Sequence, residues 1–400
     1  MNFYLCCCSA LLLLLSSCAS TDARRVEKDT VAIDSTPIIR KLIDADGKTY
    51  RLDTHFTRLA ATNNFSGSVL VAQRGVILFH KAYGWANVAR HDSLALNSGI
   101  QLASVSKQFT AAAIMLLQQE KKLGYDDKLQ RWFPDSMFAG ITIRHLLTHR
   151  SGLPTYTYFC DDYYREQKRV PAYFTNDSML ALMRRLKPAP DHQPDEKFDY
   201  NNTGYVLLAM VVEKISGQSF AAFMHERFFK PLGMKNTWVN TDTARLDERA
   251  LAYFRKWEHW EDNYFDNVTG DKGIISTPED LYIWDRSLKQ QKILTAATQQ
   301  LAFTGASPEL AGKETWNYGF GWRIRTFDDG AKAVFHNGWW HGYTTAFYRG
   351  ISDDVTIIIL CNKVNKGIYR VDPLLEILGA HYLPWQNDEA AEGGDTVPKK

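Results

Sequence analysis

The 400-residue chain is poor in cysteine, in long apolar runs and in net charge. Four of its six cysteines stand in the first 18 residues, and beyond them only Cys160 and Cys361 remain. Two thiols so far apart make no disulfide framework and lack metal-ligand spacing, so they are expected to be buried free thiols. Lys and Arg number 47 against 45 Asp and Glu, a balance of +2 that gives no electrostatic footprint for nucleic acid. No internal repeat is visible, which excludes a solenoid. The apolar runs after residue 15, such as Val355 to Cys361, are too short to cross a bilayer. No G-x-S-x-G elbow and no H-E-x-x-H pair occurs. Gly319 and Gly321 begin like a dinucleotide fingerprint, but Ile324 takes the third glycine's place. Neither a metal nor a cofactor is expected. What is present, 45% hydrophobic and 23% charged residues, describes one large domain or two lobes with ample core.

The first 18 residues differ from the rest. Phe3 to Leu15 is almost wholly apolar and of signal-peptide length, and it runs into Leu15-Ser16-Ser17-Cys18. That segment resembles a bacterial lipobox, which implies removal of residues 1–17 and lipid attachment at Cys18; plain secretion with an incidental cysteine is the alternative. A diacyl lipid would supply the two chains that stable anchoring needs. The expectation is therefore a lipoprotein of the bacterial cell envelope, facing the periplasm, on the outer rather than the inner membrane. Residues 18–52 read as its tether, 53–385 as the folded domain, and 386–400 as a disordered tail.

Within the domain, Gly67 to Gln73 and Val76 to Tyr83 are β-rich runs flanking Arg74-Gly75, a hairpin signal. From Val105 the apolar residues Phe109, Ala112, Ala113, Leu116 and Leu117 trace one helical face. Helical patterns continue over Thr142–His149, Ser178–Leu186, Thr203–Ile215 and Ser219–Phe229, so residues of about 105–250 form a helical lobe. Strand signals return at Tyr318–Ile324, Ala331–His336, Tyr343–Arg349 and Val355–Cys361, followed by a helix over Asp372–Ala380. The fold class is α+β: early hairpin and late meander complete one antiparallel sheet, flanked by helices.

Three short motifs carry chemistry. Ser104-Val-Ser-Lys107 is the only Ser-x-x-Lys in the chain and stands at a helix start. The spacing places both side chains on one face, where the lysine can help accept the hydroxyl proton; the bland alternative is a capping serine with a solvated lysine. Tyr200-Asn201-Asn202 follows a polar, proline-rich stretch and precedes a helix. A phenol beside a lysine can act as a base, and an amide two residues on can bind a substrate carbonyl. The alternative there is an Asn202 or Thr203 helix cap with Tyr200 packed beneath. His336-Asn337-Gly338 ends an apolar run, where glycine admits close backbone approach and imidazole can meet an anion; its alternative is a turn histidine.

In this order and context the three motifs resemble the S-x-x-K, Y-x-N and H-x-G elements of the serine β-lactamase and penicillin-binding superfamily. The branch is that of class C β-lactamases, D-alanyl-D-alanine carboxypeptidases and related esterases. Leu102 to Ala113, Leu146 to Pro154, Pro231 to Met234, Ile275 to Leu281 and Tyr318 to Trp322 are similar to that branch as well. The resemblance implies the α/β sandwich of the β-lactamase and transpeptidase type, and acyl transfer through Ser104, with Lys107 and Tyr200 sharing the proton. It also implies a substrate-binding set of Asn202, His336, Gly338 and Trp339, with the Ser104 and Trp339 N–H groups forming the oxyanion hole. His149, in the Leu-Thr-His-Arg-Ser-Gly run, is expected to bond a turn and is left out of the site.

His336 replaces the lysine common in β-lactamases of this branch, and Trp339-Trp340 puts two bulky rings where small residues are usual. A neutral or partly charged imidazole binds a substrate carboxylate less dependably than a lysine does at neutral pH, which argues against efficient β-lactam hydrolysis. The expected substrate is a small molecule or a peptidoglycan peptide, carried by a monomer tethered to the bilayer. Two function classes follow: an envelope serine hydrolase acting on D-amino-acid peptides, β-lactams, esters or amides, and a cell-wall or β-lactam binding protein that has lost turnover.

Overall fold

The computed structural model describes residues 36–62, 65–311 and 316–383. Cys18, the leader and the tail expected over 386–400 lie outside them. A seven-stranded antiparallel sheet forms the frame. Its spatial order is Val76–Tyr83, Gly67–Gln73, Val355–Cys361, Tyr343–Gly350, Lys332–Trp340, Arg323–Thr326 and Asn317–Tyr318. The early hairpin thus docks against the last strand of the meander and closes one sheet from both ends of the domain. The fold is mixed α+β, with a central helical lobe beside the sheet.

Alternation explains the central register. Val69 pairs with Ile359 and Val71 with Ile357, and these side chains enter the core on one face. Leu70 pairs with Ile358 and enters the core on the other. Both strands are buried along their whole length, so a one-residue slip would exchange two packed faces. At the hairpin, Arg74 and Gly75 both adopt positive φ (50° and 79°), the turn that follows the right-handed twist of the strands.

Three segments depart from the sequence expectation. Helices Thr36–Leu42 and Ala45–Ala61 occupy part of the stretch expected to be a tether, and Leu52 and Phe56 of the second are buried in the core. Only about one residue per turn is apolar there, which explains the weak periodic signal. The helix Lys107–Gln119, expected to show one apolar face, is buried from Lys107 to Leu117. Its polar members are satisfied internally: Thr110 Oγ1 donates to Gly270 O (2.7 Å), and Gln108 Oε1 accepts from Trp284 Nε1 (2.8 Å). The run expected as one strand over Tyr318–Ile324 is two strands, Asn317–Tyr318 and Arg323–Thr326, hinged at Gly321, where φ is 75°.

Cys160 and Cys361 are buried free thiols, and burial raises both pKa values. No single helix among the described residues is long and apolar enough to span a membrane.

Candidate active site

Ser104 lies in a 3₁₀ turn, Ala103–Ser106, that runs directly into the helix beginning at Lys107. The turn is held on two sides. Leu102 N donates to Ile274 O (2.8 Å), and Thr345 Oγ1 donates to Leu102 O (2.7 Å). Ala103 is forced to φ +49°, a sparsely populated conformation for a residue with a Cβ, immediately before the serine. Ser104 is partly exposed while its neighbours are buried.

Lys107 is completely buried. Its Nζ donates to Ser104 Oγ (3.0 Å) and to Asp271 O (2.9 Å), and lies 5.0 Å from the Tyr200 ring centroid and 5.6 Å from that of Tyr205. A buried ammonium survives only with such partners. The sequence spacing therefore translates into contact, and the solvated-lysine alternative is excluded by burial.

Tyr200 packs among three rings: His149 at 4.3 Å, His336 at 6.2 Å and Tyr318 at 6.3 Å between centroids. The residue that caps the following helix, Asn202–Ser216, is Asn201, whose Oδ1 accepts from Gly204 N (3.1 Å). Asn202 is the first helical residue and its Oδ1 has no hydrogen-bond partner among the described residues, so this amide is not consumed by capping, contrary to the alternative that made it or Thr203 the cap.

The third motif lies on the strand Lys332–Trp340. Arg323–Thr326 pairs with that strand only as far as Phe335, and past this point the 3₁₀ turn of Ser104 takes the edge. Gly338 is the contact. A Cβ there would stand 2.4 Å from Leu102 O, 2.3 Å from Thr345 Oγ1 and 3.1 Å from Ser104 N. The glycine is a steric requirement of bringing the strand backbone against the Ser104 amide. Its own carbonyl accepts from Tyr369 OH (2.8 Å). Trp339, next along the strand, is half-buried, donating Nε1 to His341 O (3.0 Å) under the ammonium of Lys366.

His336 is 1% exposed. Its Nδ1 lies 2.7 Å from Asn337 O, which can only accept, so Nδ1 carries the proton and Nε2 accepts from Tyr318 OH (2.9 Å). Burial, then the Arg323 and Lys107 charges, hold its pKa well below the usual histidine range. A pKa so lowered disfavours a positive charge on the imidazole near neutral pH. Desolvation among cations is the physical reason.

Sequence reasoning set His149 aside, and it does bond a turn: its Nδ1 accepts from Asn201 N (3.0 Å). It also forms the floor under Tyr200, touches Tyr205 and Tyr318, and is kept neutral by burial and by Lys107. The Asp271 carbonyl that holds Lys107 had no sequence signal, since any residue supplies a carbonyl. The Asp271 side chain is also buried, within reach of Tyr156 OH (3.1 Å) and Lys272 Nζ (3.5 Å).

Comparison with known proteins settles the family. The Beta-lactamase family profile matches residues 52–380. The chain belongs to the Beta-lactamase family. Penicillin-binding protein 4* of Bacillus subtilis is 36% identical over 339 residues, 81% of this chain and 74% of that one. The crystal structure of a penicillin-binding protein from Bacillus halodurans superposes with a TM-score of 0.69 at 26% identity, covering 81% of this chain and 99% of that one. D-amino acid amidase from Ochrobactrum anthropi shares the fold, with a TM-score of 0.69 at 24% identity over 84% and 98% of the two chains. This member of the family is a hydrolase of the β-lactamase and penicillin-binding superfamily.

Proposed function

We propose that this β-lactamase-family protein is a serine hydrolase that works through an acyl-serine intermediate. The observation that carries the reading is the 3.0 Å contact between Lys107 Nζ and Ser104 Oγ, with the lysine buried and anchored on Asp271 O. Ser104 Oγ attacks the substrate carbonyl, and its proton passes to the Lys107–Tyr200 pair. That proton then reaches the leaving group as the scissile bond breaks, and water releases the acyl group by the reverse path. Lys107 stabilises negative charge on Oγ and on the Tyr200 phenol. Asn202, with its unpartnered Oδ1, orients the substrate amide. The N–H groups of Ser104 and Trp339 receive the oxyanion, an arrangement worth about 3 kcal/mol per donor.

The neutral His336 favours substrates that need no cationic contact at that strand, namely esters and D-amino-acid amides or peptides, over the carboxylate of a penicillin. D-amino acid amidase and penicillin-binding protein 4*, by their names, act on the first class and bind the second. β-Lactam hydrolysis and a small-ester esterase activity remain within the same chemistry, as does a peptidoglycan peptide substrate. The Cys18 lipobox adds the proposed place, a monomer tethered on the periplasmic face of the bacterial envelope.

The test is intact-mass analysis after treatment with a fluorophosphonate and with a fluorescent penicillin, followed by a panel of esters, D-amino-acid amides and β-lactams. A Ser104 adduct with turnover of esters or amides is expected. Adduct formation without turnover of any substrate would instead favour a binding protein.

A further inference from the structure

Beyond the Ser104 cluster, one group of side chains among the described residues has the composition of a cation site. His341 follows Trp339-Trp340 at the end of the strand, and its Nδ1 faces the carboxylates of Asp262 and Asp266. One donor atom from each residue lies within 4.8 Å of the other two. The His341 side chain is 9% exposed, and its Nδ1 has no hydrogen-bond partner among the described residues, standing 3.9 Å from Asp266 Oδ2. An unsatisfied buried ring nitrogen aimed at two carboxylates costs stability unless something occupies the space between them.

We propose that His341, Asp262 and Asp266 bind a divalent transition-metal cation of the zinc type.

The imidazole binds a metal through a ring nitrogen that carries no proton. It is fixed without using Nδ1: the ring stacks between Trp340 (4.5 Å, 27°) and Trp260 (5.5 Å, 16°). The carboxylates are oriented in turn by outer partners. Asp266 accepts from Trp340 Nε1 (2.7 Å) and from Asn263 N (2.6 Å), and Asp262 Oδ2 accepts from Arg249 Nη2 (2.5 Å), leaving Oδ1 for a ligand.

Two carboxylates against the one Arg249 guanidinium leave net negative charge. Lys272, whose Nζ lies 4.4 Å from the Trp340 ring centroid, moderates it. One imidazole nitrogen with two carboxylate oxygens suits Zn²⁺, Co²⁺ or Ni²⁺ better than Ca²⁺, which prefers oxygen throughout. Ligand atoms around tetrahedral zinc stand about 3.4 Å apart, so the observed spacing needs only a small closure. The cation would tie the end of the Lys332–Trp340 strand to the 260–266 loop, next to the Trp339 amide, and a fourth position would stay open to water.

The experiment is calorimetric titration of tag-free, chelator-treated full-length protein with zinc chloride, repeated on His341→Asn and Asp262→Asn. Asparagine suits the positive φ (51°) at 341, and Asp266 is spared because it holds Trp340 and the loop. One equivalent of zinc is expected, with affinity reduced about tenfold or more in each variant. Absence of saturable binding in the wild type, or unchanged affinity in either variant, overturns the proposal. A zinc-soaked wild-type crystal gives the answer without any variant: an anomalous peak among the three side chains supports the site, and peaks only elsewhere overturn it.

Discussion

The turn that carries Ser104 and the strand that carries His336 meet across Gly338, yet they use charge in opposite ways. At the turn, a buried lysine keeps its role as a donor because Ser104 Oγ, Asp271 O and two aromatic faces surround it. At the strand, a buried histidine is held well below the usual histidine pKa, first by burial and then by Arg323 and Lys107, both positive. Lys107 and Arg323 both disfavour a further positive charge at His336. Short-range spacing decides which groups meet, whereas their protonation is decided by elements far away in sequence.

The first way to break this comparison is to remove each side's indispensable atom. Ser104→Ala is expected to abolish fluorophosphonate labelling and all turnover while leaving the thermal midpoint close to wild type. On the strand side, Gly338→Ala must push a methyl against Leu102 O and Thr345 Oγ1. It should cost about 3 kcal/mol or lose the folded state, as chemical denaturation would show.

Exchanging the charges sharpens the contrast. His336→Lys would bury a second ammonium beside Lys107 and Arg323, so it should destabilise by about 3 kcal/mol and should not improve carboxylate-bearing substrates. Better penicillin turnover in a stable His336→Lys protein would show that the strand can hold a cation after all.

A pH measurement separates the two regions more gently. His149 and His336 are both held below the ordinary histidine pKa in the folded protein, chiefly by burial. Between those depressed values and the unfolded value of about 6.5, the unfolded chain binds more protons. Their contribution to stability is therefore complete above about pH 6.5 and is lost as pH falls below it. The thermal midpoint should drop from pH 7 to pH 5, and less so in His149→Gln once its lower starting stability is allowed for. The smallest effect is expected at the helix start. Asn201→Ala removes the cap on Gly204 N and should cost about 1 kcal/mol, whereas Asn202→Ala should alter kcat and KM with little effect on stability.

What was legible in the sequence follows the same division. The Gly67–Tyr83 hairpin and the Val355–Cys361 strand were evident because their patterns are dense and their turn residues unambiguous. The approach of Lys107 to Ser104 and Tyr200 was foreseeable because each motif stands at a fixed place relative to a helix start. The helix Ala45–Ala61 was hidden by its polar surface, and Tyr156–Gln167 by aromatic and acidic residues that favour no one period. The neutral state of His336 was out of reach, since it depends on Tyr318 and Arg323 arriving from another strand. The role of Asn201 was missed because an Asn-Asn pair does not reveal which amide turns back to the helix.

The account rests on Lys107 acting on Ser104 across the buried contact. The most direct measurement is the second-order rate constant for Ser104 labelling by an uncharged fluorophosphonate in wild type, Lys107→Met and Tyr200→Phe, with folding checked by circular dichroism. Folded Lys107→Met should label slower by about 100-fold or more, with Tyr200→Phe between it and wild type. Wild-type labelling in folded Lys107→Met would contradict the account, because the serine would then be activated by some other group.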